Sequence, residues 1–221
     1  MDHFDAPVPE TVPLPVRAGR PTREQAEARQ QALLDCALEH FLKKGFEGTS
    51  IDAITADVRM TKRTVYTRFH DKAALFRAAV RLGTERVAVS REVIEATRRE
   101  DIEETLVAIA MLRLDVVATA AANRLQRLIN TESFRFPDLI GTYYEVATLP
   151  TVNFLASTLA EATVAGRLAI DDPIQAANLF MGMVVSGPAR FMLAGNTLTS
   201  AEIDRRVRYA VRLFLRGAET R

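Results

Sequence analysis

The stretch that decides the fold is Thr49–Lys72, which reads TSIDAITADVRMTKRTVYTRFHDK. Two short helical patterns lie on either side of a break at Val58–Met60. A capping-box-like start at Thr49–Asp52 opens the first pattern, and Thr61 can cap the second. Two short helices joined by a tight turn predict a helix-turn-helix, in which the second helix enters the major groove of DNA.

The apolar and polar positions of this stretch fall on opposite sides. Ile51, Ile54 and Val58 can face the preceding helix, and Val65 with Phe69 can pack beneath the second helix. The outer side of the second helix carries hydroxyls and cations, from Thr61, Lys62, Arg63, Tyr66, Thr67 and Arg68. Hydroxyls and helix N-termini bind phosphate oxygens, and Lys and Arg reach the acceptor edge of guanine. The pattern predicts a DNA-reading face, the alternative being a merely solvated pair of charges.

Helix signals continue on both sides of this stretch. Thr22 and Gln25 form a capping box, and the helix that they open ends at Lys43-Lys44-Gly45. Asp71 can cap a helix that runs to about Arg99. Later starts are predicted at Asp101–Glu104, Asp172–Pro173 and Thr199–Glu202.

One helix carries a predicted interruption. Ser186-Gly187-Pro188 should break or kink the helix that begins at Pro173, because proline cannot continue the hydrogen-bond ladder. The count is nine or ten helices, without sustained strand alternation. The sequence therefore predicts an all-α protein.

Composition bounds the class of protein. The 221 residues are 48% hydrophobic with a net charge of +1. The one cysteine, Cys36, excludes an intramolecular disulfide, and three scattered histidines exclude a His/Cys metal cluster of recognisable spacing. No metal and no cofactor are expected. The longest uncharged run, Pro173–Ala189, is too short to span a membrane, and no signal peptide is recognisable, so we expect a cytoplasmic protein without a membrane partner.

The near-neutral total hides a local excess of positive charge. Residues 59–72 hold five Lys or Arg and one acidic residue. A net charge of +1 excludes a general polycation that binds any nucleic acid, but it leaves room for one DNA-reading face.

A proline-rich arm precedes the first helix. Five prolines lie in residues 1–21, which predicts an extended or disordered segment. Arg17–Pro21 contains the Gly-Arg-Pro core of an AT-hook-like motif, and Arg20 is predicted to enter the minor groove. A plain linker is the alternative.

About fifty residues resemble the DNA-binding domain of tetracycline-repressor-type (TetR) regulators. The similarity is carried by Leu34, Ala37, Phe41, Gly45-Phe46, Thr49-Ser50, Ile54 and the run TKRTVYTRFHDK over 61–72. The resemblance implies a three-helix helix-turn-helix domain over 22–72 and a C-terminal helical bundle over 73–221 for ligand binding and dimerisation.

The resemblance also implies roles for individual residues. Tyr66 and Lys72 would contact phosphates, assisted by Thr49 and Thr61, while the rest of the outer face meets bases or adjacent backbone. The complete set of predicted DNA contacts is Arg20, Thr49, Thr61, Lys62, Arg63, Thr64, Tyr66, Thr67, Arg68 and Lys72.

Two positions depart from the family pattern. Arg59 stands in the turn where the family usually has glycine, and arginine is uncommon in left-handed backbone, so the turn is expected to be shaped differently. Arg63 also stands where glycine is frequent, which predicts a different operator sequence.

The C-terminal two-thirds gives weaker signals. The last two helices carry apolar stripes that are either core or, by resemblance, a dimer interface, with Met181, Val184, Val207, Val211 and Phe214 as candidates. Candidate ligand contacts, each of which could equally be core, are Asn123, Phe134, Tyr143, Tyr144, Phe154 and Met183.

These observations predict a one-component transcriptional regulator. We expect a repressor that binds a palindromic DNA operator as a homodimer and is released by a small-molecule effector. No catalytic motif is present, so an enzyme is not expected. The alternatives are a ligand-activated or ligand-independent regulator, or a helical small-molecule-binding protein or enzyme that does not bind DNA.

Overall fold

The computed structural model describes residues 22–196 and 198–218, whose regular elements are helical, which confirms the all-α prediction. These residues contain eleven α-helices and a π-helical turn, so the predicted count of nine or ten was too low. The bounds are α1 Arg23–Lys44, α2 Ile51–Asp57, α3 Lys62–Arg68, α4 Lys72–Val87, α5 Arg91–Glu95, α6 Ile102–Ala118, α7 Ala120–Glu132, α8 Asp138–Tyr143, the π-helical turn Tyr144–Thr148, α9 Leu149–Val164, α10 Pro173–Leu193 and α11 Ser200–Ala218.

Side-chain caps begin most helices where the sequence predicts them. The capping box of Thr22 and Gln25 is present, and Gly45 ends α1 with a φ of 67°. Thr61 and Asp71 accept hydrogen bonds from the backbone amides three residues later, at the starts of α3 and α4. The predicted start at Thr49 is one residue early, because Ser50 is the residue whose hydroxyl caps α2.

Two predictions about helix length are wrong. The helix that begins at Asp71 ends at Val87 rather than near Arg99, because Ala88 is extended and Ser90 caps a new helix, α5. Conversely, α10 continues through Pro188 without a break. The proline costs one backbone hydrogen bond, which a 21-residue helix packed against α6, α9 and α11 can absorb.

One hydrophobic core lies under the first three helices. Four phenylalanine rings interlock there: Phe76 lies 4.8 Å from Phe41 and 5.2 Å from Phe46, and Phe46 lies 4.8 Å from Phe136, all between ring centroids. Leu125 of α7 is buried in the same cluster. Because this core draws side chains from both sides of residue 72, the predicted domain boundary there stays a prediction.

A second core fills the C-terminal bundle of α6, α9, α10 and α11. Phe180 of α10 and Phe214 of α11 make an edge-on ring contact at 5.2 Å. Within the described ranges no single helix is long and apolar enough to cross a bilayer, and the one pair that together meets the length and composition test, α6 with α7, is bent by 76°.

Candidate nucleic-acid interface and cavity

The turn between α2 and α3 is tight and hydrogen-bonded. The amide of Arg59 donates to the Ala56 carbonyl at 3.3 Å, and the amide of Met60 donates to the Thr55 carbonyl at 3.0 Å. Arg59 has a φ of 52°, the left-handed conformation that glycine adopts at no steric cost. The expectation of a differently shaped turn is therefore not supported: the arginine takes up the glycine-like conformation itself.

α3 is fixed by its inner side and open on its outer side. Val65 is fully buried against Ile54 and its neighbours, and Val58 and Phe69 are half-buried around it. The predicted DNA contacts in this segment are all exposed, and they are Thr61, Lys62, Arg63, Thr64, Tyr66, Thr67 and Arg68.

The exposed side chains of α3 differ in how they are engaged. Lys62 pairs with Asp52, and Arg68 donates to Gln30 at 2.8 Å. Thr67 donates to the carbonyl of Arg63 at 2.7 Å. Among the residues that the structure describes, the side chains of Arg63 and Tyr66 have no hydrogen-bond or ion-pair partner. These two side chains are thus free to meet a ligand.

Three other predicted contacts have different surroundings. Thr49 is 2% exposed and its hydroxyl donates to the carbonyl of Gly45 at 2.8 Å, so its predicted phosphate contact does not fit this structure. Lys72 is half-buried with its Nζ 4.4 Å from the ring centroid of Phe46, and burial lowers its pKa. Arg20 and the predicted arm lie outside the described residues.

A groove beside α3 holds arginines that the sequence analysis did not assign to DNA. Arg29 of α1 and Arg59 of the turn line this groove together with Arg68 of α3. Two of these arginines lie on elements before α3, and only the fold brings them next to it.

Three metal-binding residue types also meet in this region. The donor atoms of Cys36, His40 and Asp57 lie within 4.8 Å of one another, although sequence spacing had excluded a His/Cys cluster. His40 Nε2 is hydrogen-bonded to Asp57 at 2.8 Å, and burial raises the pKa of the Cys36 thiol. The cluster ties the end of α2 to α1.

A cavity of about 380 Å³ opens between α6, α7, α8 and α10. Of the six predicted ligand contacts, Asn123 and Tyr143 line it. Tyr144 does not line it, but its hydroxyl donates to Asn178, which does. The other three lie elsewhere: Phe134 is 99% exposed, Phe154 is buried in the C-terminal core, and Met183 borders a groove against α11.

Arg113 is a lining residue that the sequence analysis missed. It lies on α6, is 2% exposed, and donates to the carbonyl of Ala147 in the π-helical turn at 3.0 Å. It also hydrogen-bonds Tyr143, and burial lowers the pKa of Arg113 and raises that of Tyr143. A single arginine between Leu112 and Leu114 was the available signal.

The predicted dimer-interface residues lie inside the protomer. Met181, Val184, Val207 and Val211 are 6%, 3%, 1% and 0% exposed, and Phe214 packs against Phe180. The stripe is therefore core, which is a correction to its assignment as interface. The same two helices expose other large apolar side chains, of which Leu179, Met183 and Leu213 line one groove; the full set is Ile174, Leu179, Met183, Phe191, Tyr209 and Leu213.

Sequence comparisons match both halves of the chain. Residues 33–79 match the family model of bacterial regulatory proteins of the tetR family, and residues 104–217, just over half of the chain, match the C-terminal domain of AefR-like transcriptional repressors. The HTH-type transcriptional regulator SrpR of Pseudomonas putida is 24% identical over 75% of this chain and 76% of its own. A DNA-binding transcriptional repressor TetR of Mycobacteroides abscessus is 28% identical over 52% of this chain and 53% of its own.

Solved structures agree with these matches. A Mesorhizobium loti protein described as a TetR-family transcriptional regulator has a TM-score of 0.72 at 26% identity, covering 90% of this chain and all of its own. The flavonoid-responsive regulator FrrA has a TM-score of 0.73 at 28% identity, covering 88% and 99%. The chain belongs to the TetR family, and it is a DNA-binding transcriptional regulator rather than an enzyme.

Proposed function

We propose that this regulator is a repressor that binds a palindromic operator as a homodimer through α3 and is released by a small molecule. The observation that carries the proposal is the exposed face of α3, where Arg63 and Tyr66 have no partner within the described residues although Val65 fixes the helix from below. Repression is supported by the AefR-like repressor match and by the repressor from M. abscessus.

The residues in and around α3 are proposed to make two kinds of DNA contact, to bases and to phosphates. Arg63 is the second residue of α3 and its side chain has no partner among the described residues, and it is proposed to read a base edge together with Lys62, Thr64, Thr67 and Arg68. Thr61, Tyr66 and Lys72 are proposed to contact phosphates, which position the helix without reading sequence. Arg20 remains proposed for the minor groove, and the operator places the site of action in the bacterial cytoplasm.

A dimer follows from the size of the recognition helix. The seven residues of α3 can read only a few base pairs, so useful specificity needs a second copy and a two-fold operator. The exposed apolar face of α10 and α11, in particular Leu179, Met183 and Leu213, is proposed to form the contact between copies. Monomeric proteins rarely leave large contiguous apolar patches in water.

Release requires a link between the cavity and α3. Tyr143 lines the cavity at the end of α8, and α8 and the π-helical turn both pack against α4, which follows α3 directly. Arg77 of α4 holds Asp138 of α8 through two hydrogen bonds, of 2.7 and 3.3 Å. An effector that prefers the arrangement of α8 and α4 unable to bind DNA would shift the population away from the operator.

The DNA proposal is tested by salt titration on the duplex upstream of the protein's own gene against a random duplex. Arg63→Ala is expected to relax the preference for that region, whereas Lys72→Ala weakens all sequences about equally. Arg91→Ala, an exposed arginine on α5, is the matched control and leaves binding unchanged. Binding without salt dependence and without preference for its own region would refute operator recognition.

The dimer proposal is tested by sedimentation at micromolar concentration. Leu213→Glu is expected to give monomers that bind the operator weakly, because a buried unpaired carboxylate is costly. Val93→Glu, on an exposed position of α5, is the control and stays dimeric. A wild-type protein that sediments only as a monomer would refute the homodimer.

A further inference from the structure

The cavity beside α10 is positively charged. Its lining includes Arg113, which is buried, and Arg190, which is exposed, and no Asp or Glu of the described part of the chain lines it. The polar lining also includes four amide side chains, from Asn123, Gln126, Asn130 and Asn178, and three hydroxyl-bearing residues, Tyr143, Thr148 and Ser186. The rest of the wall is largely aliphatic.

Arg113 is incompletely satisfied. One terminal nitrogen donates to the Ala147 carbonyl and the side chain bonds Tyr143, but within the described residues its Nε has no hydrogen-bond partner although it is buried. A guanidinium carries five donors and stays charged in proteins. Leaving such a charge without a carboxylate partner is costly, and a ligand that supplies a carboxylate would offset part of that cost.

We propose that the effector is a carboxylic acid with an apolar body, whose carboxylate pairs with Arg113. This inference rests on the proposed function, since it names the chemistry of the effector. The carboxylate would accept from the buried guanidinium in the fork geometry that arginine favours. The aliphatic wall, including Val117, Val185 and Leu193, takes the body of the acid.

The position of Arg113 explains how such an acid would act. The bonds that Arg113 now makes go to Tyr143 at the end of α8 and to Ala147 in the π-helical turn. A carboxylate that pairs with the free Nε and a neighbouring terminal nitrogen would reorient this guanidinium, and both elements pack against α4. Binding would therefore change the contacts that α8 and the π-helical turn make with α4, the helix that follows α3.

The test uses matched pairs of acid and primary amide at pH 7.5 with the full chain. The probes are benzoate, salicylate, 4-hydroxybenzoate and hexanoate, each against its amide, measured by titration calorimetry and by the thermal midpoint. At least one acid is expected to bind about tenfold more tightly than its amide, the ratio that one charge-assisted hydrogen bond supplies. Equal binding of acid and amide, or no binding by any acid, overturns the proposal.

Variants decide whether Arg113 is the anchor. Arg113→Met should abolish the preference for acid over amide, Arg113→Lys should retain part of it, and Arg91→Ala should leave it intact. If Arg113→Met does not fold, the binding of each acid and its amide to the wild type and to Tyr143→Phe still decides the outcome. An acid preference that survives in Arg113→Met overturns the assignment.

Operator binding by the wild type is measured separately. Acid binding that depends on Arg113 in a protein that ignores its operator would refute the repressor function and leave the anion site standing. Operator binding by a protein that binds no acid more tightly than its amide would refute the anion site and leave the repressor function standing.

Discussion

Two arginines of this molecule, Arg63 and Arg113, have opposite environments. Arg63 on α3 is exposed, stands on a helix closed underneath by Val65, and has its charge hydrated. Arg113 on α6 is 2% exposed, faces a cavity, and forms no ion pair with a carboxylate of residues 22–196 or 198–218. Because its charge stays hydrated, Arg63 carries little desolvation cost, and its guanidinium is available to a DNA phosphate or base. Arg113 carries a desolvation cost that its bonds to Ala147 and Tyr143 offset only in part, because neither partner is an anion at neutral pH.

The largest expected effect comes from removing the closed aromatic core beneath the DNA-reading end. Phe76→Ala should lower the free energy of unfolding by about 3–5 kcal/mol, because the ring is fully buried among three other phenylalanines. Phe134→Ala is the matched control, and its side chain is 99% exposed, so stability should change by less than about 0.5 kcal/mol. Denaturant unfolding measures the stability of both variants. A loss in Phe76→Ala as small as the one expected for Phe134→Ala would mean that Phe76 is not a core residue.

Replacing each of the two arginines by methionine tests the comparison between Arg63 and Arg113. Arg113→Met should raise the free energy of unfolding without ligand by about 1 kcal/mol, since it removes a desolvated charge and keeps most of the volume. Arg63→Met should change stability by less than about 0.5 kcal/mol. A loss of stability in Arg113→Met would show that this cation holds the fold rather than waiting for a ligand.

A smaller effect is expected at the tie between α4 and α8. The hydrogen bonds that Arg77 donates hold the pKa of the Asp138 carboxyl below its ordinary value. The side chains of Arg77 and Asp138 are 46% and 48% exposed, so solvent screening keeps the contribution within about 1 kcal/mol. A depressed pKa in the folded state gives stability that is complete above about pH 4, the pKa of the unfolded carboxyl, and is lost as the pH falls through the folded value.

The measurement at this tie is the free energy of unfolding against pH. The free energy of unfolding of the wild type should exceed that of Asp138→Asn at pH 6, and the two values should converge in acid. A difference that stays the same at every pH would exclude the Asp138 carboxylate as the source of this stability. The control is Asp171→Asn, on an exposed loop residue.

The smallest expected effect is at the turn. Arg59→Gly relieves left-handed strain of about 1 kcal/mol but adds a similar entropy to the unfolded chain, so stability should stay within about 0.5 kcal/mol. Operator affinity should fall slightly as one groove cation is lost. A gain above about 1 kcal/mol would mean that the strain is larger than the backbone angle suggests. Arg59→Lys, which keeps the charge, separates the two effects.

Sequence reasoning succeeded where interactions are local. The caps at Thr22, Thr61 and Asp71 each act across three residues, so their signal is contained in the sequence itself. The same locality explains the confirmed helix-turn-helix. Even there, two adjacent hydroxyls at Thr49 and Ser50 were indistinguishable, and the structure caps with the second.

Sequence reasoning failed where a residue's partner is distant. An apolar stripe such as Val207 and Val211 predicts burial but does not say whether the covering surface is the same chain or another copy, and here it is the same chain. Likewise Arg113 gained its significance from Tyr143 and Ala147, some thirty residues away along the chain. Helical periodicity carries no information about such partners.

Phe46 joins the proposed DNA contact to the C-terminal half. Lys72 and Arg135 both lie over the Phe46 ring, at 4.4 and 4.5 Å from its centroid. The backbone amide of Phe46 donates a hydrogen bond to the Glu132 carboxylate of α7. Drawing Lys72 toward a phosphate would therefore disturb the Phe46 ring, which Arg135 and Phe136 also contact. By thermodynamic reciprocity, if the proposed effector lowers affinity for the operator, the operator lowers the affinity for that effector by the same factor. On that proposal, the effector concentration needed for release rises with the number of operators in the cell.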